Sequence, residues 1–350
     1  MVSANRLGGG EGEKLRGGLG RARPGDYAQG AARFGGGSER AVRRTRGMDT
    51  PADRPPLVVP FTKMNGAGND FVVLDNRFLR FSVDELAGLA RRVCPRRTGV
   101  GADGLLALED AEDGAQAGGV HFRMRYRNAD GSLATMCGNG ARCLARFAAR
   151  AGLGDRHESG GATLVFDTDG GRYRAEVADA GRASGDVLLH VPPPRDFAPT
   201  GLRDAPVPKS SRVYRVWTGT EHAVLFVRDL DLEDVHTTGG RLRWDGAFRP
   251  SGANVNFVQV RDGDRIAVRT FEKGVEGETL ACGTGALAAA VVACLTDRVP
   301  GSGERRQVEV EMPGGTLTVG FRLADGECHD LSLSGPADTT YEGTLEWRGA

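Results

Sequence analysis

Two short runs in this sequence carry a nucleophile at the start of a candidate helix. Cys137-Gly138-Asn139-Gly140-Ala141 and Cys282-Gly283-Thr284-Gly285-Ala286 stand 145 positions apart, one in each half of the 350-residue chain. A cysteine at a helix start faces unpaired backbone N–H groups and the positive end of the helix dipole, which favour a thiolate. The glycines let a ligand approach the backbone, so Gly138, Asn139, Gly283 and Thr284 can present N–H groups to a carboxylate. Two such helix ends around one carboxylate suit removal of an amino acid's α-proton and its return from the opposite face. Stereoinversion needs an acid and a base on opposite sides, and cysteine, with a reference pKa of ~8.5, can serve as either. Such chemistry needs no pyridoxal phosphate, so no cofactor is expected.

The elements that must position these runs are legible in outline. Ala141, Leu144, Ala145 and Ala148 recur at helical spacing, predicting a helix from just after Cys137 to before Gly152. An Ala/Val-rich helix follows Cys282 to about Leu295. Ser82-Val83-Asp84-Glu85 fits a capping box opening a helix to about Val93. Strands are predicted at Leu57–Thr62, Phe71–Leu74, Val213–Trp217, Ala223–Val227, Asn256–Val260, Ile266–Phe271, Val308–Glu311 and Thr316–Phe321. Residues 65–70 are read as a Gly-rich turn. Val120, Phe122, Met124 and Tyr126 alternate with polar residues, so Arg123, Arg125 and Arg127 are expected on a solvated strand face. The stretch from Pro192 to about Ser211 reads as a loop near a domain boundary. The paired motifs suggest an internal duplication that brings two cysteines to one cleft.

Composition narrows the function class. The chain has 46 Lys/Arg and 46 Asp/Glu, which argues against nucleic-acid binding by bulk charge. No apolar run approaches the ~18 residues of a spanning helix. Residues 1–47 hold 10 Lys/Arg, 4 Asp/Glu and 13 glycines; the remainder holds 36 basic and 42 acidic residues. This segment lacks the apolar core of a secretory signal and is read as disordered, with Met48 an alternative start. Cys94, Cys143, Cys294 and Cys328 are expected to be small buried residues, and neither a disulfide framework nor a metal site is expected. Gly99 to Gly104 satisfies a dinucleotide fingerprint, but no apolar strand precedes it, so it is read as a turn between strands. His222 is read as a packed, hydrogen-bonding histidine.

Five motifs in order resemble the diaminopimelate epimerase family. They are Met64-Asn65-Gly66-Ala67-Gly68-Asn69-Asp70-Phe71, Gly101-Ala102-Asp103-Gly104, Asn128-Ala129-Asp130-Gly131-Ser132, the Cys137 run through Cys143, and Glu276 to Gly285. The resemblance covers about residue 58 to the end. It implies an α/β fold of two pseudo-symmetric domains, each a β-barrel-like sheet around a central helix, with the site in the cleft between them. The domains would be 57–181 plus 337–350, and 182–336, behind a disordered extension at 1–56. It implies cofactor-free conversion of LL-2,6-diaminopimelate to the meso form, in lysine and peptidoglycan synthesis. It also implies a cytoplasmic homodimer that binds neither nucleic acid nor membrane.

By this resemblance Cys137 and Cys282 are the acid/base pair, and Gly138, Asn139, Gly283 and Thr284 bind the reacting carboxylate. Asn69, Asn128, Asn254 and Glu272 would hold the substrate, with Lys273 at its distal end and Thr220 a further contact. The C-terminal strand, including Tyr341-Glu342-Gly343, would return to the first domain. Three positions depart from the pattern. Glu272-Lys273 stands where Glu-Arg is usual, Gly219-Thr220-Glu221-His222 where Gly-Asn-Pro-His is usual, and the run 274–278 is one residue longer. The alternatives are a racemase of another amino acid on this scaffold and a non-catalytic carboxylate-binding protein.

Overall fold

The computed structural model describes residues 56–349, apart from 113–114, 116–117, 205–206, 208–211 and 302. The disordered extension expected at 1–56 lies almost wholly outside the described residues. Five helices are labelled α1 (Asn76–Leu79), α2 (Val83–Val93), α3 (Gly138–Arg150), α4 (Val235–Arg243) and α5 (Gly283–Leu295). The rest of the described residues is largely β-structure, with 18 strands joined in one continuous sheet.

The first half of that sheet wraps α3. Leu57–Gly66 pairs with Asn69–Asp75, and the sheet continues through Gly104–Glu109, Phe122–Asn128, Ala162–Thr168, Gly171–Val177 and Asp186–His190. Ala141, Leu144, Ala145 and Ala148 of α3 are fully buried among Phe71, Leu106, Phe122, Leu164, Phe166 and Leu189. Alanines on the helix let strands approach from several sides, and α3 touches each of these strands. The second half repeats the plan around α5, whose Ala286–Ala293 run is buried on all faces. It packs against Val216, Val224, Val258, Val268, Val310 and Leu317. A helix apolar all round must be surrounded, and this one is.

Two strand pairings join the halves. Asp186–His190 runs antiparallel to Glu327–Pro336, with Leu189 opposite Leu333. The C-terminal strand Asp338–Trp347 returns along Leu57–Gly66, pairing Tyr341 with Lys63 and Glu342 with Thr62, as the resemblance implied.

The structure corrects several readings. The expected turn over 65–70 is only Ala67-Gly68, because the flanking strands extend to Gly66 and Asn69. Both turn residues have positive φ (57° and 87°), the geometry of a tight hairpin whose twist matches its strands. A side chain on Gly68 would also meet Gly314 Cα at 2.9 Å. The loop expected from Pro192 to Ser211 contains the strand Arg195–Thr200. The arginine face of Phe122–Asn128 is not solvated. Arg123 and Arg125 both bind Asp169, at 2.6 and 2.8 Å, and reach Glu112 and Glu109. Arg127 is buried and donates to the Val83 carbonyl. Alternation located the two faces, but partners distant in sequence decided that the charged face is a paired layer.

Candidate active site

The N-termini of α3 and α5 abut, and a cysteine caps each. Cys137 and Cys282 have extended backbone, and their carbonyls accept the first helical bonds, from Ala141 N (2.8 Å) and Ala286 N (2.9 Å). The N–H groups of Gly138, Asn139, Gly283 and Thr284 therefore lie in first turns, where no carbonyl of the same helix can reach them. A Cβ on Gly283 would stand 3.6 Å from Asn139 Oδ1 and 4.0 Å from Gly138 Cα. Leu333, from the strand Glu327–Pro336, lies beneath both glycines: added Cβ atoms at 138 and 283 would meet its Cδ2 at 3.7 and 3.1 Å. Two helix N-termini thus share one apolar floor.

The thiols are free and differently solvated by the protein. Cys137 Sγ accepts the Gly140 N–H at 3.5 Å and lies 3.8 Å from Asn69 Oδ1. Cys282 Sγ is 3.5 Å from Thr284 Oγ1. Burial pushes both thiols above the ordinary range, and the Glu272 carboxylate adds to the shift at each. Amides of Gly140 and Asn139 pull Cys137 back, as do the Thr284 hydroxyl and the Gly285 amide at Cys282. Glu272 is itself pushed up by burial, against the Thr279 hydroxyl that donates to Oε2 at 2.7 Å.

The remaining expected residues form two groups. Asn69 and Asn139 belong with Cys137: Asn139 Nδ2 lies 3.4 Å from Asn69 Oδ1 and 3.4 Å from the Ala281 carbonyl, beside Cys282. Asn254, Lys273, Glu221 and Thr220 form the second group. Asn254 Oδ1 accepts the Lys273 N–H at 2.7 Å, Lys273 Nζ reaches Glu221 Oε2 at 2.6 Å, and Thr220 Oγ1 donates to the same oxygen at 3.0 Å. Two of the departures from the family pattern, Glu221 and Lys273, are therefore partners. Glu272 joins the groups, being next to Lys273 in sequence and electrostatically close to both thiols. Asn128 is less directly placed: it lies opposite Gly104 and donates to Ser132 Oγ at 3.0 Å, with no direct bond to either cysteine. His222 is fully buried against Asn254 and Asn256, and burial lowers its pKa to about 3, so it is a neutral packing residue.

Sequence reasoning assigned no role to Leu333, Asp103 or Arg142. The last two were quoted inside motifs, but only the folded arrangement shows what they hold. Cys94, Cys143, Cys294 and Cys328 are buried, as small apolar residues would be. The Gly99–Gly104 run is a turn entering the strand Gly104–Glu109. Among the described residues no group of three His, Cys, Asp or Glu is arranged to hold a metal, and no helix is long and apolar enough to cross a membrane.

Comparison with known proteins identifies the family. The family model described as diaminopimelate epimerase matches residues 61–190 and 214–338, which contain both helix starts. A diaminopimelate epimerase of Chlorobaculum tepidum is 42% identical over 282 residues, covering 81% of this chain and 99% of the relative. An O-ureido-serine racemase of Streptomyces lavendulae is 37% identical over 305 residues, covering 83% and 97%. Among solved structures, a phenazine biosynthesis protein of the PhzF family from Bacillus anthracis aligns with TM-score 0.63 at 16% identity, covering 83% and 99%. A hydroxyproline epimerase from Agrobacterium vitis aligns with TM-score 0.57 at 17% identity, covering 83% and 92%. The structural neighbours share the fold at low identity, whereas the sequence match runs through both cysteine motifs, and on that ground the chain belongs to the diaminopimelate epimerase family.

Proposed function

We propose that this chain is an isomerase that interconverts LL- and meso-2,6-diaminopimelate, with Cys137 and Cys282 as the two acid/base groups. The abutting cysteine-capped helix starts carry this reading. The substrate's reacting carboxylate sits between the N–H groups of Gly138 and Asn139 and those of Gly283 and Thr284. One thiolate takes the α-proton: the C–H bond breaks, an S–H bond forms, and the electron pair moves into the carboxylate. The opposite thiol then gives its proton to the other face, leaving a thiolate there. The helix ends stabilise the charge that develops on the carboxylate, where preorganised donors act most strongly.

The distal end of diaminopimelate carries an ammonium and a carboxylate. Lys273 and Glu221 offer the complementary pair, with Asn254 and Thr220 fixing them. Exchange of the Glu221–Lys273 bond for two bonds to substrate would accommodate a zwitterion without leaving either charge unpaired. Lys273→Met is therefore expected to raise KM for diaminopimelate at least tenfold with kcat within about threefold, because the distal contact is made equally in ground and transition states. Steady-state kinetics with chromatographic separation of LL and meso forms checks this. Another β-substituted amino acid is the second reading, favoured by Glu221 and by the similarity to an O-ureido-serine racemase. The same chromatography, run with O-ureidoserine, decides between them: turnover of that compound alone would displace diaminopimelate.

Turnover needs one thiolate and one thiol. With both thiols shifted upward, the free protein at neutral pH holds mainly the doubly protonated pair. We expect kcat/KM to rise about tenfold per pH unit from roughly pH 6 through 8 without levelling, because neither thiol ionises until above its ordinary range. A profile flat across that range would show that the thiols do not govern it.

In this reading the chain divides into lobes 57–181 plus 337–350, and 182–336. Strand Asp186–His190 forms the seam, since Val187 and Leu189 pack on the α3 side. The protein is read as a cytoplasmic homodimer in lysine and peptidoglycan precursor synthesis, with no nucleic-acid or membrane partner.

A further inference from the structure

We infer that Arg142 and Asp103 are positioning residues, which hold the amides of Asn139 and Asn69 in one orientation through a directional chain of hydrogen bonds reaching Cys137. The inference rests on the proposed role of Cys137. An asparagine amide is nearly symmetric in shape, so flipping it exchanges donor for acceptor and reverses what it offers the reacting groups.

Both ends of the chain are fixed by charge. Arg142 is wholly buried, and its Nη2 donates to Asn139 Oδ1 at 2.9 Å while Nη1 reaches the Gly138 carbonyl at 3.4 Å. That leaves Asn139 Nδ2 to donate toward Asn69 Oδ1 and the Ala281 carbonyl, linking the two helix starts. At the other end Asn69 Nδ2 donates to Asp103 Oδ2. A flipped Asn69 would set its carbonyl against that carboxylate. Asn69 Oδ1 therefore faces Cys137 Sγ, where it can receive the S–H proton and aim it.

Both oxygens of the Asp103 carboxylate are engaged. Its Oδ2 also receives the Asp70 N–H at 3.1 Å, and its Oδ1 receives Arg96 Nη2 at 2.6 Å. Arg142, by contrast, makes no ion pair among the described residues, and its Nε has no partner. A buried cation left unpaired is costly. Here it lies under the first turn of α3, where it adds to the field of the helix start. The negative groups that act on it are the Cys137 thiolate and the Asp186 carboxylate and, in the proposed reading, a bound carboxylate.

The test uses the purified full-length chain and LL-diaminopimelate, with circular dichroism to confirm folding of each variant. Asp103→Asn removes one acceptor oxygen, so either Asn69 loses its acceptor or Arg96 gives up Asp103 and keeps only Asp70. We expect kcat to fall about thirtyfold with KM within threefold, as a small misplacement of a reacting group does. Arg96→Met touches the same ion cluster but not Asn69, and should change kcat less than threefold. Arg142→Met should lower kcat at least tenfold and shift one limb of the kcat/KM pH profile upward, the limb belonging to Cys137. Arg142→Lys should restore that limb and part of the rate. The other titratable or charged groups around Cys137 are Glu272, Tyr126, Cys143 and Cys282. Asp103 also acts on Glu272 and Tyr126, so the pH limb is read in the Arg142 variants, which of these groups touch only the buried Cys143.

Wild-type kcat in folded Asp103→Asn, or an equal loss in Arg96→Met, would overturn the inference. If Asp103→Asn fails to fold, the Arg142 pair decides: an unmoved pH limb in Arg142→Met overturns it. Should the wild-type chain not act on diaminopimelate, the proposed function falls instead, so the two failures are distinguishable.

Discussion

Replacing either Cys137 or Cys282 by alanine is expected to lower net inversion by at least about 10³-fold, near the upper range for loss of a positioned acid or base. The two variants should then differ in a way that a general loss of structure cannot produce. With one sulfur gone, the other still faces one side of the α-carbon. It can remove a proton from the stereoisomer presented to it and return a solvent proton to the same face. Cys137→Ala should therefore exchange the α-proton of one stereoisomer without inverting it, and Cys282→Ala that of the other. Proton NMR of each stereoisomer in D2O reads both outcomes. Neither change should unfold the chain, because alanine nearly fills the volume of a cysteine and both sites close on small residues. At Cys137 the lost contact is the Gly140 N–H to sulfur bond, a weak cap.

Gly285→Ala is expected to be almost as damaging, although residue 285 is not among those assigned to the substrate. A Cβ there would lie 2.4 Å from Asn256 Oδ1, 3.2 Å from Thr270 Oγ1 and 3.2 Å from Cys282 Cβ. Asn256 cannot yield. It is fully buried, accepts from Thr270 Oγ1 at 3.0 Å, and uses Nδ2 on the Ala223 carbonyl and on His222. The first turn of α5 must move instead, carrying Cys282 and the amides proposed to bind the carboxylate with it. We expect kcat to fall at least 100-fold and stability to drop by about 1–3 kcal/mol, the usual range for overpacking a core. The matching position on α3 provides the comparison. At Gly140 the nearest contacts are the Leu106 methyls at 3.1 and 3.5 Å, ends of a side chain that can rotate. Gly140→Ala should cost less than a third as much in rate. Urea denaturation and steady-state kinetics of the two variants check the ranking.

The contrast between these glycines shows what was legible in the sequence. Both cysteine motifs, and the helices they open, could be read from residue type and spacing, since a helix start is a local event. The α3 helix begins at Gly138 and α5 at Gly283, where the repeated motif put them. Pairing the two motifs across one cleft also followed from the repeat. What the motifs rest on was not legible. Leu333 reaches the site from the strand Glu327–Pro336, well beyond either motif in sequence, and nothing around it in the sequence marks it as the floor beneath two helix ends.

Other gaps have similar causes. Gly104–Glu109 is a strand buried on both faces, so its apolar run lacks alternation. The α4 segment, Val-His-Thr-Thr-Gly-Gly-Arg-Leu-Arg, has two glycines and weak helix formers, and is held by packing and by the Asp234 cap on Thr237 N. Arg123 and Arg125 were expected in solvent because their partner Asp169 lies more than forty positions away. Glu221 and Lys273 looked like two separate departures from a pattern. Only folding makes them one ion pair.

The most direct measurement is solvent exchange by the wild-type chain. LL-diaminopimelate, O-ureidoserine, hydroxyproline and lysine are incubated separately with the protein in D2O and followed by proton NMR, with stereoisomers separated at intervals. The two-thiol account predicts loss of the α-proton signal of diaminopimelate with meso product carrying deuterium at the inverted centre. Meso product that retains the original proton there, or inversion that persists undiminished in Cys137→Ala and Cys282→Ala, would contradict it.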